Sequence, residues 1–246
     1  MKTTVALADW DADITGLAEK IGRSPFSRVV LCVEDRHVLY RDQNVIEAVQ
    51  VLQDNGLEVE LDPWGIQGFS GESVSHPMAF YSWLRLAERT NASALMLEEP
   101  IRQDKLTMDE ILTGAAHYAP SKPLHLAVAE DSLSPELHKS MSEVSLTGYL
   151  NADKMRIDSP VSLEARVNDI YEEYHDCFDS VWVPLCAVPN GKEWIPGHLI
   201  KVWHQLGVPV NVWAWDGLRT VSSARADDFD LVWRHTLHSL EEIHQS

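Results

Sequence analysis

The chain has 246 residues, a formal net charge of −18, 45 % hydrophobic residues and 24 % charged residues. This length permits one large hydrophobic core, and no apolar run approaches the roughly 18 residues that a membrane span needs. The negative charge disfavours nucleic acid and anionic membranes as partners. Three distant cysteines without CxxC spacing argue against a disulfide framework and against a structural zinc site.

Short apolar runs alternate with longer segments of helical period along the whole chain. The predicted strands are Val5–Trp10, Arg28–Glu34, Leu57–Trp64, Ala94–Glu99, Leu124–Asp131, Leu146–Asn151, Ser180–Ala187 and Val210–Asp216. Helices are predicted near Ile14–Ile21, Val45–Gln53, His76–Arg89, after Thr107, and near Pro135–Val144, Ser162–Tyr174, Pro196–Leu206 and Phe229–His244. Eight strand–helix units predict an α/β protein, a (β/α)8 TIM-type barrel that occupies residues 1–246 as a single domain. The alternative is an open, doubly wound sheet.

Two helix starts carry capping signals. Asn44 with Glu47 has the spacing of a capping box before Val45–Gln53, and Thr107 with Glu110 has the same spacing before the fifth strand. We therefore expect Asn44 and Thr107 to be the residues that cap these helices.

Alternation within the strands separates two faces, because successive side chains point to opposite sides. The outer face of a barrel packs on helices and must be apolar, so Val59 and Leu61 are predicted to point outward, and Glu60 and Asp62 inward. The same reasoning turns Leu57, Leu95, Leu97, Leu124, Leu126, Val128, Val29, Leu31 and Val33 outward. The residues predicted to point inward are Cys32, Glu34, Glu58, Met96, Glu98, His125, Ala127, Ala129, Asp131, Thr147, Tyr149, Asn151, Asn211, Trp213 and Trp215. The first and seventh strands are ambiguous, and Glu58, Glu60 and His125 are predicted to form an internal structural network.

Four acidic residues end four consecutive predicted strands: Glu34, Asp62, Glu98 and Asp131. In this fold the C-terminal ends of the strands build the active site. Neighbouring strands lie about 4.8 Å apart, and alternate strands lie about twice as far apart. Carboxyl pairs near 5 Å suit a retaining glycosidase, and pairs at about 6.5–9.5 Å suit an inverting one. Both separations are available among these four residues. Helix caps and loop salt bridges are the structural alternatives for each acid.

Tryptophans accompany these acids. Trp10, Trp64 and Trp213 lie at or near predicted strand ends, where an indole face can stack on a sugar. Packing in the barrel mouth is the alternative role. Asn151, at the end of the sixth predicted strand, is a candidate to bind a hydroxyl group.

The most distinctive segment is Asp62-Pro63-Trp64-Gly65-Ile66-Gln67-Gly68-Phe69-Ser70-Gly71-Glu72-Ser73. It lacks the Lys-Ser/Thr ending of a phosphate loop and the GxGxxG order of a dinucleotide site. It resembles the DPWG–GGE stretch of poorly characterised bacterial and archaeal barrel proteins akin to glycoside hydrolases. Gln67 and Ser70 depart from that pattern, in which glycine is usual. The resemblance implies a barrel and adds Asp62, Trp64 and Glu72 as candidate site residues.

These features predict a carbohydrate-active, glycoside hydrolase-like enzyme without a cofactor. Glu98 is the expected general acid, with a pKa raised by neighbouring carboxylates and partial burial, and Asp62 or Asp131 is the expected base or nucleophile. One alternative is an isomerase or lyase that uses Mg²⁺ or Mn²⁺, because clustered carboxylates suit hard cations. Against it, histidines are scarce at the strand ends, and we expect His37 and His76 in loops.

The second alternative is a barrel that binds a ligand without turnover, because the Asn-Glu and DxxDxDxE patterns of large glycosidase groups are absent. In either case the expected partner is a small sugar-like molecule. The N-terminus has no apolar signal-peptide segment, so we expect a cytoplasmic protein; the sequence leaves its oligomeric state open.

Overall fold

Eight parallel strands close into a barrel in the order β1 to β8, so each strand pairs with its neighbours in the chain and β8 pairs with β1. The structure is a computed structural model. It describes residues 3–7, 10–63, 77–98, 106–140, 145–149, 159–185, 192–213 and 226–245. The prediction of a (β/α)8 barrel is therefore confirmed, and the open sheet is excluded.

The described elements keep the predicted order. The strands are β1 (Thr4–Leu7), β2 (Arg28–Cys32), β3 (Glu58–Asp62), β4 (Ala94–Glu98), β5 (Leu124–Ala129), β6 (Ser145–Tyr149), β7 (Ser180–Pro184) and β8 (Val210–Trp213). The helices are α1 (Ile14–Gly22), α2 (Asp35–Tyr40), α3 (Asp42–Asp54), α4 (Pro77–Arg89), α5 (Met108–Tyr118), α6 (Pro135–Ser140), α7 (Pro160–Tyr174), α8 (Ile195–Gln205) and α9 (Ala226–Gln245). Within the described residues, none of these helices is long and apolar enough to cross a membrane.

One of the two predicted caps is confirmed. Thr107 accepts a hydrogen bond from the Glu110 backbone, and the Glu110 carboxylate accepts from the Thr107 backbone at 2.8 Å. These hydrogen bonds hold the pKa of Glu110 below its usual value. The Asn44 cap is wrong, because α3 already begins at Asp42, whose carboxylate suits the positive end of a helix and pairs with Arg89 at 2.9 Å.

The predicted outward phase of the strands is also confirmed, whereas the side chains of six residues predicted to point inward lie outside the described part of the structure: Glu98, Asp131, Tyr149, Asn151, Trp213 and Trp215. Every leucine and valine predicted to point outward belongs to the large core between barrel and helices. A separate, smaller cluster fills the barrel interior and contains Ala6, Val30, Met96, Ala127 and Trp182. This cluster resolves the two ambiguous strands, since Ala6 and Trp182 face inward while Val5 and Val183 face the helices.

Candidate active site

The four predicted acids all follow or end neighbouring strands at the C-terminal rim of the barrel. Asp62 is the last residue of β3 and is fully buried, and Glu98 is the last residue of β4. Glu34 lies two residues beyond β2, and Asp131 lies in a short 3-10 turn that follows β5. The side chains of Glu98 and Asp131 lie outside the described part of the structure.

Several predicted ligand-binding residues also lie outside the described residues. These are Trp64, Glu72 and Asn151, and with them most of the segment that resembles the DPWG–GGE stretch. Trp213 is the last residue of β8, and only its backbone is described. Their roles in ligand binding stay predictions.

Trp10 is described in full and is buried three residues beyond the end of β1. Its indole N–H donates to the carbonyl oxygen of Cys32 at 2.7 Å, and its ring stacks on the imidazole of His37 with centroids 4.7 Å apart. Trp10 therefore links the segment after β1 to the end of β2 and to helix α2.

His37 is the centre of this arrangement, although the sequence placed it in a loop. That expectation is wrong: His37 lies on the short helix α2, and only 1 % of its surface is exposed. The backbone N–H of Glu34 donates to Nδ1 of His37 at 2.9 Å, and Nε2 lies 2.9 Å from the Asp11 carboxylate. Because Nδ1 must accept a hydrogen bond, the ring proton belongs on Nε2 and is donated to Asp11.

Charged side chains surround the same carboxylate. Oδ2 of Asp11 lies 3.3 Å from Arg36 and 3.6 Å from Arg41, and Nε of Arg36 lies 2.7 Å from the Glu34 carboxylate. Two guanidinium groups and two carboxylates thus balance in charge around a neutral imidazole. Glu34 is consequently one member of an ion-pair cluster at the rim, which is the structural alternative that the sequence left open for it.

Asp11, Arg36 and His37 were not predicted to meet. The only sequence signal was their position: Asp11 comes shortly after β1, and the other two come shortly after β2. Since β1 and β2 are adjacent in the barrel, residues that follow them share one sector of the rim. Sequence periodicity cannot find a six-residue helix such as α2, because it completes fewer than two turns.

A second polar cluster lies at the opposite, N-terminal end of the barrel interior. The buried Glu60 carboxylate lies 2.7 Å from Arg28 and 3.1 Å from Nδ1 of His125, and Arg28 also reaches Glu58 at 3.3 Å. The predicted internal network of Glu58, Glu60 and His125 is therefore confirmed, and Arg28 is the partner that the sequence did not indicate.

The other side of the barrel interior is hydrogen-bonded rather than charged. The hydroxyl groups of Thr147 and Ser180 lie 2.6 Å apart, and the Asn211 amide donates to Ser180 at 3.1 Å. The apolar cluster around Trp182 completes the packing of the interior. The described interior is thus a packed core, as this fold requires, which leaves the rim as the place for chemistry.

Among the described residues, no group of three or more His, Cys, Asp or Glu side chains could hold a metal ion. The side chains of Glu98 and Asp131 are not part of that set, so the predicted alternative of a Mg²⁺ or Mn²⁺ site stays a prediction. Cys32 and Cys177 are buried, and burial raises the pKa of the Cys177 thiol.

No protein-family profile and no curated protein matches this sequence, whereas solved structures match its fold. Cel5A of Thermotoga maritima, in complex with cellobiose, is 13 % identical over 97 % of both chains, with a TM-score of 0.61. A GH5-4 broad specificity endoglucanase from Clostridium acetobutylicum is 13 % identical over 98 % of this chain and 96 % of its own, with a TM-score of 0.58. D-psicose 3-epimerase, solved in the presence of D-fructose, is 12 % identical over 98 % of both chains, with a TM-score of 0.52. At these identities the likeness establishes the barrel fold alone, and the structures that share it include both glycoside hydrolases and sugar epimerases.

Proposed function

We propose that this protein is a carbohydrate-active enzyme that hydrolyses a glycosidic bond by carboxylate acid–base chemistry at the C-terminal rim of its barrel. The observation that carries the proposal is the run of acids at the ends of four consecutive strands, from Glu34 after β2 to Asp131 after β5. This rim is where enzymes of this fold place their catalytic groups. Glycosidic bond cleavage needs two carboxyl groups that flank the bond.

The division of roles follows from strand position. Glu98, at the end of β4, is the general acid that protonates the leaving oxygen. Asp62, at the end of the adjacent β3, or Asp131, beyond β5 on the other side, is the base or nucleophile. Trp64 and Trp213 stack on the sugar ring, while Asn151 and Glu72 bind hydroxyl groups.

Two further facts support a sugar as the substrate. Barrels of the same fold include enzymes that hydrolyse or epimerise sugars, and the endoglucanase and D-psicose 3-epimerase described above are examples. The net charge of −18 disfavours polyanionic substrates and leaves neutral sugars compatible. Fold similarity therefore supports sugars as the class of substrate. The run of acids at the strand ends is the reason to propose hydrolysis rather than epimerisation.

Turnover of a panel of aryl glycosides and neutral oligosaccharides tests the proposal, with Glu98→Gln as the decisive variant. Removal of a general acid should lower kcat by about 10²- to 10⁴-fold while binding is retained. Glu88→Gln is the matched control, because Glu88 lies on α4 and accepts hydrogen bonds from Ser121, away from the rim. Unchanged turnover in Glu98→Gln would remove Glu98 from the mechanism.

The same panel separates the alternatives. Activity that disappears with a chelator and returns with Mg²⁺ or Mn²⁺ would indicate an isomerase or lyase instead of a hydrolase. Tight binding without turnover over the whole panel would indicate a barrel that retains ligand recognition alone.

A further inference from the structure

An exposed aromatic ring stands on the short rim helix α2. Tyr40 is 82 % exposed, and it and Val161 are the large hydrophobic residues that stand out to solvent among the described residues. Tyr40 lies between Glu34, which follows β2, and Asp42, which begins α3. Strand ends and the starts of the following helices both lie at the C-terminal rim, so Tyr40 belongs to the face that carries the candidate active site.

Two arginines accompany this ring. Arg36 lies four residues before Tyr40 and therefore on the same side of α2, and Arg41 follows Tyr40 directly. Their side chains are 50 % and 53 % exposed. Each guanidinium group has five N–H donors. Among the described residues, the ion pairs of Arg36 use Nε and Nη2, and the ion pair of Arg41 uses Nη1. Donors therefore remain for a ligand beside an open aromatic face.

Contacts on its buried side hold helix α2, which carries Arg36 and Tyr40, in place. His37, on the buried side of α2, stacks on Trp10 and makes hydrogen bonds through both ring nitrogens. The carboxylate of Asp11 holds Arg36 and Arg41 towards one point. A surface that is already ordered loses little conformational entropy when a ligand binds.

We propose that Tyr40, Arg36 and Arg41 form a sugar-binding subsite for the outer units of a neutral oligosaccharide whose reacting bond lies at the rim acids. The proposal rests on the proposed function and adds that the substrate is a chain rather than a single sugar. An aromatic face stacks on the apolar face of a pyranose, and the planar guanidinium forks donate to its hydroxyl groups. A neutral chain fits best, because Asp11 and Glu34 cancel the two arginine charges and the whole protein is strongly negative.

Binding and turnover of neutral oligosaccharides of two to six units, in β-1,4-glucan, β-1,4-mannan, α-1,4-glucan and β-1,3-glucan series, test the subsite. We expect affinity to rise with chain length in at least one series. Tyr40→Ala should remove that rise and weaken binding of the longest member about five- to tenfold, and Arg36→Ala should weaken it in the same direction. Val161→Ala is the matched control, because Val161 is 74 % exposed and lies on another helix, α7.

Val161→Ala should leave both the binding of long chains and the turnover of aryl monoglycosides unchanged, because Val161 lies on α7 and is not part of the subsite. If monoglycosides are hydrolysed but chain length and Tyr40→Ala have no effect, the subsite is refuted and the hydrolase proposal stands. If long chains bind through Tyr40 and none is cleaved, the subsite stands and the hydrolase proposal fails. Absence of binding throughout the four series would refute the subsite.

Discussion

The two ends of the barrel use the same residue types for different purposes. At the N-terminal end, Arg28, Glu60 and His125 join three strands of the barrel, and the shared carboxylate is buried. At the C-terminal rim, Arg36, His37 and Asp11 join the segments after β1 and β2, and the arginines Arg36 and Arg41 remain half-exposed. The first cluster therefore stabilises the sheet itself, whereas the second shapes a surface that a ligand can reach.

The largest expected effect is at the N-terminal cluster. Glu60→Ala leaves Arg28 and His125 without the carboxylate between them, and loss of one partner of a buried pair costs about 3–5 kcal/mol. We expect about 3 kcal/mol, because Arg28 keeps Glu58 and some contact with water. Urea unfolding measures the loss. Glu58→Ala is the matched control, since its carboxylate is partly exposed and should cost no more than about 1 kcal/mol. Equal losses would contradict the central role of Glu60.

His37→Ala comes next and tests whether the rim cluster depends on the imidazole. It removes the ring that stacks on Trp10 and leaves the Glu34 N–H without its acceptor, which together should cost about 2 kcal/mol. Hydrogen exchange should become faster at the amides of α2 and stay unchanged at β5. As a control, His198→Ala removes a more exposed imidazole that pairs with Glu164, and about 0.5 kcal/mol is expected. Unaltered exchange in α2 would show that His37 does not hold this helix.

Trp10→Phe isolates one hydrogen bond of the rim cluster. The phenyl ring keeps a stacking surface for His37 but cannot donate to the Cys32 carbonyl, so the expected loss is about 1 kcal/mol. Thermal unfolding of Trp10→Phe beside Trp10→Ala separates the two contributions. A Trp10→Phe variant as unstable as Trp10→Ala would show that the ring stack contributes nothing.

The smallest effect is expected at Glu34. Glu34→Gln weakens an ion pair with the half-exposed Arg36, which is worth about 0.5 kcal/mol at low salt and less at high salt. Unfolding at two salt concentrations checks both statements. A loss above about 2 kcal/mol that is indifferent to salt would place Glu34 in the structural core of the rim.

The sequence predicted the barrel because its strands alternate cleanly. In β3 the outward-facing Val59 and Leu61 alternate with Glu60 and Asp62. The outer face is apolar only if the valine and leucine point outward and the two acids point inward. In β7 the pattern failed, because Val181, Trp182 and Val183 are all apolar and only the structure shows that Trp182 faces the interior.

The rim cluster escaped prediction for a different reason. His37 meets Asp11 across 26 positions of sequence, on a helix too short to leave a periodic signal. The sequence could predict that the strand ends lie together, because a barrel places the C-terminal ends of all its strands at one rim. Contacts between the segments that follow the strands depend instead on the backbone path of each segment. The same limit applies to Trp64, Glu72 and Asn151, whose partners no sequence pattern specifies.

A crystal structure of the Glu98→Gln variant with an uncleaved glycoside bound tests the central claim most directly. The expected result is a sugar at the C-terminal rim, with its glycosidic oxygen beside residue 98 and a carboxyl group of Asp62 or Asp131 on the other side of the bond. A sugar bound at the N-terminal end beside Arg28 and His125, or at the rim with none of these acids near its glycosidic bond, would contradict it.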